Sequence, residues 1–166
     1  MNFPLFHLVL VAPEIPQNTG TIGRLAVETG CSLHLVEPLG FSLEDKYLKR
    51  AGLDYWPRLA PSIWPDWESF LEGNPGAVLH FFSTHAERCF YDVEYRIGDY
   101  LVFGRESAGL PKEFYTRYRD RLRLLPMPGT FKRSINLACS VSAALYEAMR
   151  QTRGEWENAT TKEELR

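Results

Sequence analysis

The usual nucleotide-binding signatures are missing from this sequence. Gly20-Thr21-Ile22-Gly23 lacks the Gly-x-Gly-x-x-Gly spacing of a dinucleotide fold, and no Gly-Lys-Ser/Thr phosphate loop exists. There is no Gly-x-Ser-x-Gly nucleophile elbow either. These absences argue against a dehydrogenase, a nucleoside triphosphatase and an α/β-hydrolase. Cysteine is scarce. Cys31, Cys89 and Cys139 form no Cys-x-x-Cys pair, and an odd number at these spacings suits buried thiols in a reducing compartment. His7, His34, His80 and His85 form no zinc spacing with them, so no metal is expected. An excess of positive charge is also lacking: the formal net charge is −2. A nucleic-acid partner would therefore have to be held by a local patch. No apolar run approaches the roughly 20 residues that span a bilayer. Met1-Asn2-Phe3-Pro4 lacks a basic n-region and a long apolar h-region. A soluble, cytoplasmic protein is the expectation.

What is present is a core. The chain has 166 residues, of which 45% are apolar and 13% aromatic, enough for one domain and too many for a disordered chain. His7-Leu8-Val9-Leu10-Val11-Ala12 is a continuous apolar run, as expected of a strand buried on both faces. Pro13 and Pro16 stop it. Asn18 or Thr19 then caps a helix that Gly30 ends, with Ile22, Leu25, Ala26 and Thr29 on one side. Leu33-His34-Leu35-Val36 is a second strand, which completes a βαβ unit. Ser42 caps a short polar helix through Arg50, and residues 51–56 leave it as an extended piece. A helix over Asp66–Glu72 follows, then strands at Val78–Phe82, Tyr100–Phe103 and Leu122–Leu125. A helix over Pro111–Tyr118 separates the last two strands, and the longest helix signal covers Ser134–Arg150. This alternation predicts an α/β domain with a mostly parallel sheet flanked by helices. A single domain is expected, with an ordered core over about 1–153 and a polar tail over 154–166 that frays.

In such a sheet, ligands gather at the carboxyl ends of strands. Four strand ends carry small or polar residues: Ala12–Asn18, Phe82–Thr84, Gly104–Gly109 and Leu125–Asn136. The third has the layout of a ligand loop, because an apolar strand breaks at Gly104 into Arg105-Glu106 and closes at Gly109 before a helix-opening Pro111. Glycines there let a ligand approach the backbone.

Three of these stretches, in order, are similar to the motifs of SpoU-type RNA ribose methyltransferases in the SPOUT superfamily. They are Asn18-Thr19-Gly20-(x3)-Arg24, then Phe103-Gly104-Arg105-Glu106-Ser107-Ala108-Gly109-Leu110-Pro111, then Leu125-Pro126-Met127 with Ser134-Ile135-Asn136-Leu137. Glu37-Pro38-Leu39-Gly40-Phe41 and the stretch from Asp45 to Tyr55 resemble the compact TrmL-type members, which methylate the 2′-hydroxyl of a wobble cytidine or uridine in tRNA. The resemblance implies S-adenosylmethionine as methyl donor, a homodimer, and a deep trefoil knot in the carboxyl-terminal half. Carried over by position, Phe82, Thr84, Gly104, Leu125, Met127 and Ser134 would line the cofactor pocket. Arg24, Asn18, Glu106 and Asn136 would form the catalytic set.

Each role has a plain structural alternative. Arg24 would act at the ribose or an RNA phosphate, with base action the weaker idea because a guanidinium does not readily give up its proton. Its plain alternative is a solvated arginine. Asn18 and Asn136 could be helix caps only. Glu106 could orient a catalytic group or bond the amides of its own loop. Tyr146 is a core or dimer-interface aromatic, or it lies close to RNA. RNA contact falls to two basic patches. One is Lys46, Lys49 and Arg50; the other is Arg117, Arg119, Arg121 and Arg123 with Lys132 and Arg133, whose alternate spacing suits one face of an extended segment. The competing function classes are a non-catalytic RNA-binding or assembly protein with the same fold, and the same chemistry on ribosomal RNA.

Overall fold

A computed structural model describes residues 4–43, 56–130 and 133–158. Its centre is a six-stranded sheet in which every pairing is parallel. The strands are β1 (His7–Val11), β2 (Ser32–Val36), β3 (Ser62–Trp64), β4 (Leu79–Phe82), β5 (Tyr100–Phe103) and β6 (Leu122–Arg123), in the order β3-β2-β1-β5-β4-β6. The helices are α1 (Pro16–Glu28), α2 (Trp56–Leu59), α3 (Trp67–Gly73), α4 (Lys112–Arg117), α5 (Leu137–Gln151) and α6 (Arg153–Asn158).

The apolar runs are continuous because both faces of the sheet are covered. Side chains alternate between faces with period two. Leu8, Leu10, Leu33, Leu35, Leu101 and Phe103 point to one side, where Ile22 and Ala26 of α1 and Val141, Ala144, Leu145 and Ala148 of α5 cover them. Val9, Val11, Val36, Phe81 and Val102 point to the other, against Trp67, Phe70 and Phe114. Each such leucine or phenylalanine contributes on the order of 1.5–3 kcal/mol by leaving water. The register aligns Leu10 with Phe103 and Phe103 with Phe82. The carboxyl ends of β1, β5 and β4 therefore open side by side, and their loops meet at one edge.

Several boundaries differ from expectation. α1 starts two residues before Asn18, with Ile15 at the N-cap position and Pro16 inside the first turn. A proline's fixed φ and missing N–H suit that place. Asn18 and Thr19 are thus buried within the helix and cap nothing. Thr29 lies at the C-cap, where its hydroxyl donates to the Leu25 carbonyl. α5 begins at Leu137, so Ser134 belongs to the preceding loop. Trp56, expected to be extended, opens the short helix α2. The helix expected from Ser42 to Arg50 lies largely outside the described residues, as do Lys46, Lys49, Arg50 and Lys132. Residues 154–158, expected to fray, continue as α6, and Trp156 Nε1 donates to the Met149 carbonyl at 2.8 Å.

The arginine run does not form one extended face. Arg117 ends α4 and pairs with both carboxylate oxygens of Glu68, Arg119 and Arg121 sit on an exposed 3₁₀ turn, and Arg123 is buried. Arg123 donates to the carbonyls of Asp120 and Leu122 at 2.9 Å each and faces His80 Nδ1 at 3.4 Å. His80 Nε2 in turn meets Asp99 Oδ2 at 3.0 Å, so the imidazole is taken up by a buried pair. Among the described residues, no group of three or more metal-ligating side chains converges.

Candidate active site

The loops after β1, β4, β5 and β6 enclose a cavity of about 390 Å³. That volume falls within the usual range for a small-molecule site. Phe82 and Phe103, paired across β4 and β5, both line it, their rings stacked with centroids 4.7 Å apart. Together they form an apolar wall at its base. Gly104 follows directly. A Cβ on Gly104 would lie 2.1 Å from the Gly109 carbonyl carbon and 2.3 Å from the Leu110 nitrogen. Only a glycine lets the loop fold back so tightly on itself. Arg105 and Gly109 close its neck by exchanging backbone bonds of 3.0 and 2.8 Å, and Gly109 takes a φ of +70°.

A polar chain crosses the mouth of this cavity. Asn136 caps α5, its Oδ1 accepting from the Ala138 and Cys139 amides at 2.9 and 3.3 Å. Its Nδ2 donates to Asn18 Oδ1 at 3.0 Å. Asn18 Nδ2 donates to Glu106 Oε1, also at 3.0 Å. Glu106 further accepts from the amides of Glu14 at 2.8 Å and Ile15 at 3.2 Å. Each amide side chain thus has its orientation fixed at both ends, and the chain runs from the positive end of α5 to a carboxylate. Asn136 both caps a helix and belongs to the site. Glu106 does bond amides, but those of Glu14 and Ile15 in the loop after β1 and not those of its own loop.

The six residues assigned to cofactor binding by resemblance, Phe82, Thr84, Gly104, Leu125, Met127 and Ser134, all border this cavity. Asn18, Glu106 and Asn136 border it too. Arg24 does not. It is exposed on α1, six residues beyond Asn18, which at 100° per residue turns it well away from the cavity of its own chain. Tyr146 is 58% exposed on α5, which excludes the core reading, and it does not border the cavity. Arg133 is exposed just before Ser134.

Ser83 and Ser107, inside the strand ends marked by sequence but given no role there, also line the cavity, as do His85 and Tyr115, which lie outside the marked stretches. Ser83 Oγ and Tyr115 Oη are 3.0 Å apart, and the His85 amide donates to Ser83 Oγ at 3.1 Å. Ser83 and His85 flank Thr84, so their placement at the strand end was a usable signal. Tyr115 arrives from α4 and carried none.

The lining suits a nucleoside-like ligand: an apolar wall, main-chain groups of a tight loop, and several hydroxyls and amides around one end. Comparison with known proteins agrees. The chain is 46% identical over 151 residues to a tRNA (cytidine(34)-2'-O)-methyltransferase of Acidovorax sp., covering 89% of this chain and 92% of the relative. It is 44% identical to the protein of that name from Saccharophagus degradans, over 89% of this chain and 96% of the other. A solved structure described for the 2-OH methylation of C/U34 on tRNA superposes with a TM-score of 0.85 at 48% identity, covering 90% of this chain and 97% of that one. An AdoMet-bound rRNA methyltransferase from Sinorhizobium meliloti superposes with a TM-score of 0.73 at 25% identity, over 87% of this chain and 56% of that one. Residues 5–146 match the SpoU rRNA Methylase family, and with that match added to the parallel sheet and the knuckle at Gly104, the chain belongs to this family of SPOUT methyltransferases.

Proposed function

We propose that the protein transfers a methyl group from S-adenosylmethionine to the ribose 2′-hydroxyl of the cytidine or uridine at the wobble position of tRNA. The observation that carries this reading is the hydrogen-bonded chain Asn136–Asn18–Glu106 across the mouth of a cavity walled by Phe82, Phe103 and Gly104. Relatives at this level of identity, covered almost end to end, carry that activity in their names.

S-adenosylmethionine supplies a methyl already attached to a good leaving group. The protein's share is position and a route for the hydroxyl proton. Phe82 and Phe103, the Gly104–Gly109 loop and the Leu125–Met127 segment would hold the cofactor. Asn18 and Asn136 present their amides at the mouth, locked by two and three partners respectively, so neither has to reorganise during transfer. Glu106 fixes that chain and places a negative charge where a proton must leave. Arg24 acts at the ribose or at an RNA phosphate.

Arg24 faces away from the cavity of its own chain, and this supports a homodimer in which RNA lies across two protomers. An exposed stripe on α5, Cys139, Ala143, Tyr146 and Arg150, supports it as well. Small residues on that stripe permit close helix approach, and Tyr146 provides a large amphipathic contact. The chain's return from β6, at the sheet edge, to Asn18 beside β1 supports the threaded trefoil knot of the family. Among the described residues no helix is long and apolar enough to cross a membrane.

The test is incubation of bulk tRNA with methyl-labelled S-adenosylmethionine. Label on a ribose at position 34 is the expected result. Tight tRNA binding without transfer would instead favour a non-catalytic RNA-binding protein, and transfer only to ribosomal RNA would overturn the substrate.

A further inference from the structure

Between the first and third strand-end loops lies a second, reciprocal contact that the reaction as outlined does not use. Glu106 accepts from the backbone amide of Glu14 at 2.8 Å. The Glu14 carboxylate answers by accepting from the next residue of that same loop: the Ser107 amide reaches Oε2 at 2.9 Å and the Ser107 hydroxyl reaches Oε1 at 2.9 Å. Two adjacent residues of one loop are thus clasped to one residue of the other. Charge-assisted bonds of this kind are stronger than neutral ones. The same two bonds hold the Glu14 carboxyl below the usual carboxylate range, with the Arg105 guanidinium adding to the effect.

The backbone at residue 14 is braced from behind. Gly40 donates its amide to the Pro13 carbonyl at 2.9 Å, and a Cβ on Gly40 would sit 2.7 Å from the Glu14 Cα. Glu14 is therefore a fixed post, and Ser107 is tied to it. The neck of the 104–109 loop needs no such help, because the Arg105–Gly109 exchange and the close approach of Gly104 to Gly109 set it independently. Only the tip, Glu106 and Ser107, depends on Glu14.

We infer that Glu14 is a positioning residue for the methyl transfer: its carboxylate grips Ser107 and so orients Glu106, and through Glu106 the amides of Asn18 and Asn136. The inference rests on the methyltransferase reading above. It separates two properties of one loop. Cofactor affinity belongs to the neck, and turnover belongs to the tip. Loss of the Glu14 carboxylate leaves Phe82, Phe103 and the Gly104–Gly109 neck in place while Glu106 gains freedom, and small misplacements of such groups cost rate steeply.

The experiment compares wild type with Glu14→Ala, Glu14→Gln, Ser107→Ala and the double alanine variant. Each is measured for S-adenosylmethionine affinity, for kcat and KM on tRNA, and for hydrogen exchange of the 104–109 segment. Glu14→Ala is expected to lower kcat about tenfold with cofactor Kd within twofold. Ser107→Ala, which keeps the amide bond, is expected to lose about threefold, and Glu14→Gln should recover part of the Glu14→Ala loss. The double variant should be no worse than Glu14→Ala, because the two side chains act as one unit. Faster exchange at the loop tip is expected whenever Glu14 is alanine, and this readout needs no activity. Transfer by wild type tests the methyltransferase reading separately in the same assay. An unchanged kcat, or a loss matched by an equal rise in cofactor Kd, or unaltered exchange at the tip, overturns the role of Glu14. Unchanged melting temperatures confirm that each variant is folded.

Discussion

Gly104→Ala is the smallest change that should disable the cofactor cavity. The added methyl would lie 2.1 Å from the Gly109 carbonyl carbon, 2.2 Å from its oxygen and 2.3 Å from the Leu110 nitrogen. All three are backbone atoms, so no flexible side chain can give way. The return limb of the loop has to retreat by roughly an ångström in a close-packed region. That movement breaks the paired Arg105–Gly109 bonds of 3.0 and 2.8 Å. Two backbone bonds at about 1 kcal/mol each, with overpacking of the order of 1–3 kcal/mol, give a cost of about 3–5 kcal/mol. If the ligand binds only the closed loop, the cost appears as at least about a hundredfold weaker binding. Isothermal titration with S-adenosylmethionine reads it directly. The sheet beneath is untouched, since Phe103 and Phe82 keep their strand pairing. A Gly104→Ala protein with cofactor affinity within threefold of wild type would refute the idea that this knuckle shapes the site.

Two other predictions reach different parts of the molecule. Arg24→Ala is expected to reduce tRNA methylation by at least a hundredfold while cofactor affinity stays near normal, because Arg24 does not border the cavity; equal loss of cofactor binding would sink that role. The second concerns pH. His34 accepts a bond from Trp64 Nε1 at Nδ1, 3.1 Å away, and faces His7 Nδ1 from Nε2 at 2.9 Å. Burial, and then the proximity of His7, push its pKa from 6.5 down to about 4. The folded protein therefore holds His34 neutral while the unfolded chain protonates it near its ordinary value. This contribution is fully present above about pH 6.5 and is lost as the pH falls toward 4, a total of about 3 kcal/mol. Chemical denaturation from pH 7.5 to 4.5 should show the decline, and His34→Gln should flatten it. The same slope in the variant would contradict the assignment.

Much of the fold was legible because the strongest signals were long. Leu8–Val11 and Leu101–Phe103 are unbroken apolar runs, and Leu33–Val36 and Leu79–Phe82 are interrupted only by the buried His34 and His80, the pattern of strands covered on both faces. β3 was missed because an edge strand of three residues, Ser62-Ile63-Trp64, two of them exposed, carries almost no pattern. The ligand edge was legible from glycines and polar residues placed directly after those runs, and the order of three short motifs narrowed the occupant. Asn18 shows the limit. Local preference marks it as a cap, yet Pro16 moved the helix start and freed its amide to join Glu106 and Asn136, residues far away in sequence. The Glu14–Ser107 clasp had no sequence signal at all, since neither residue belongs to a periodic pattern. The arginine run misled because alternate spacing implies one face only if the segment is extended. Instead it bends through a 3₁₀ turn, which buries Arg123 and leaves Arg119 and Arg121 exposed.

The central claim is that this cavity delivers a methyl group to one ribose in the anticodon loop. Mass spectrometry of tRNA from cells with and without the protein, read nucleotide by nucleotide, tests it most directly. A 2′-O-methylated cytidine or uridine at position 34 that disappears with the gene, and returns with wild type but not with Gly104→Ala, is the predicted result. Identical methylation at position 34 in both cells, with a loss at some other nucleotide or none, would contradict the account.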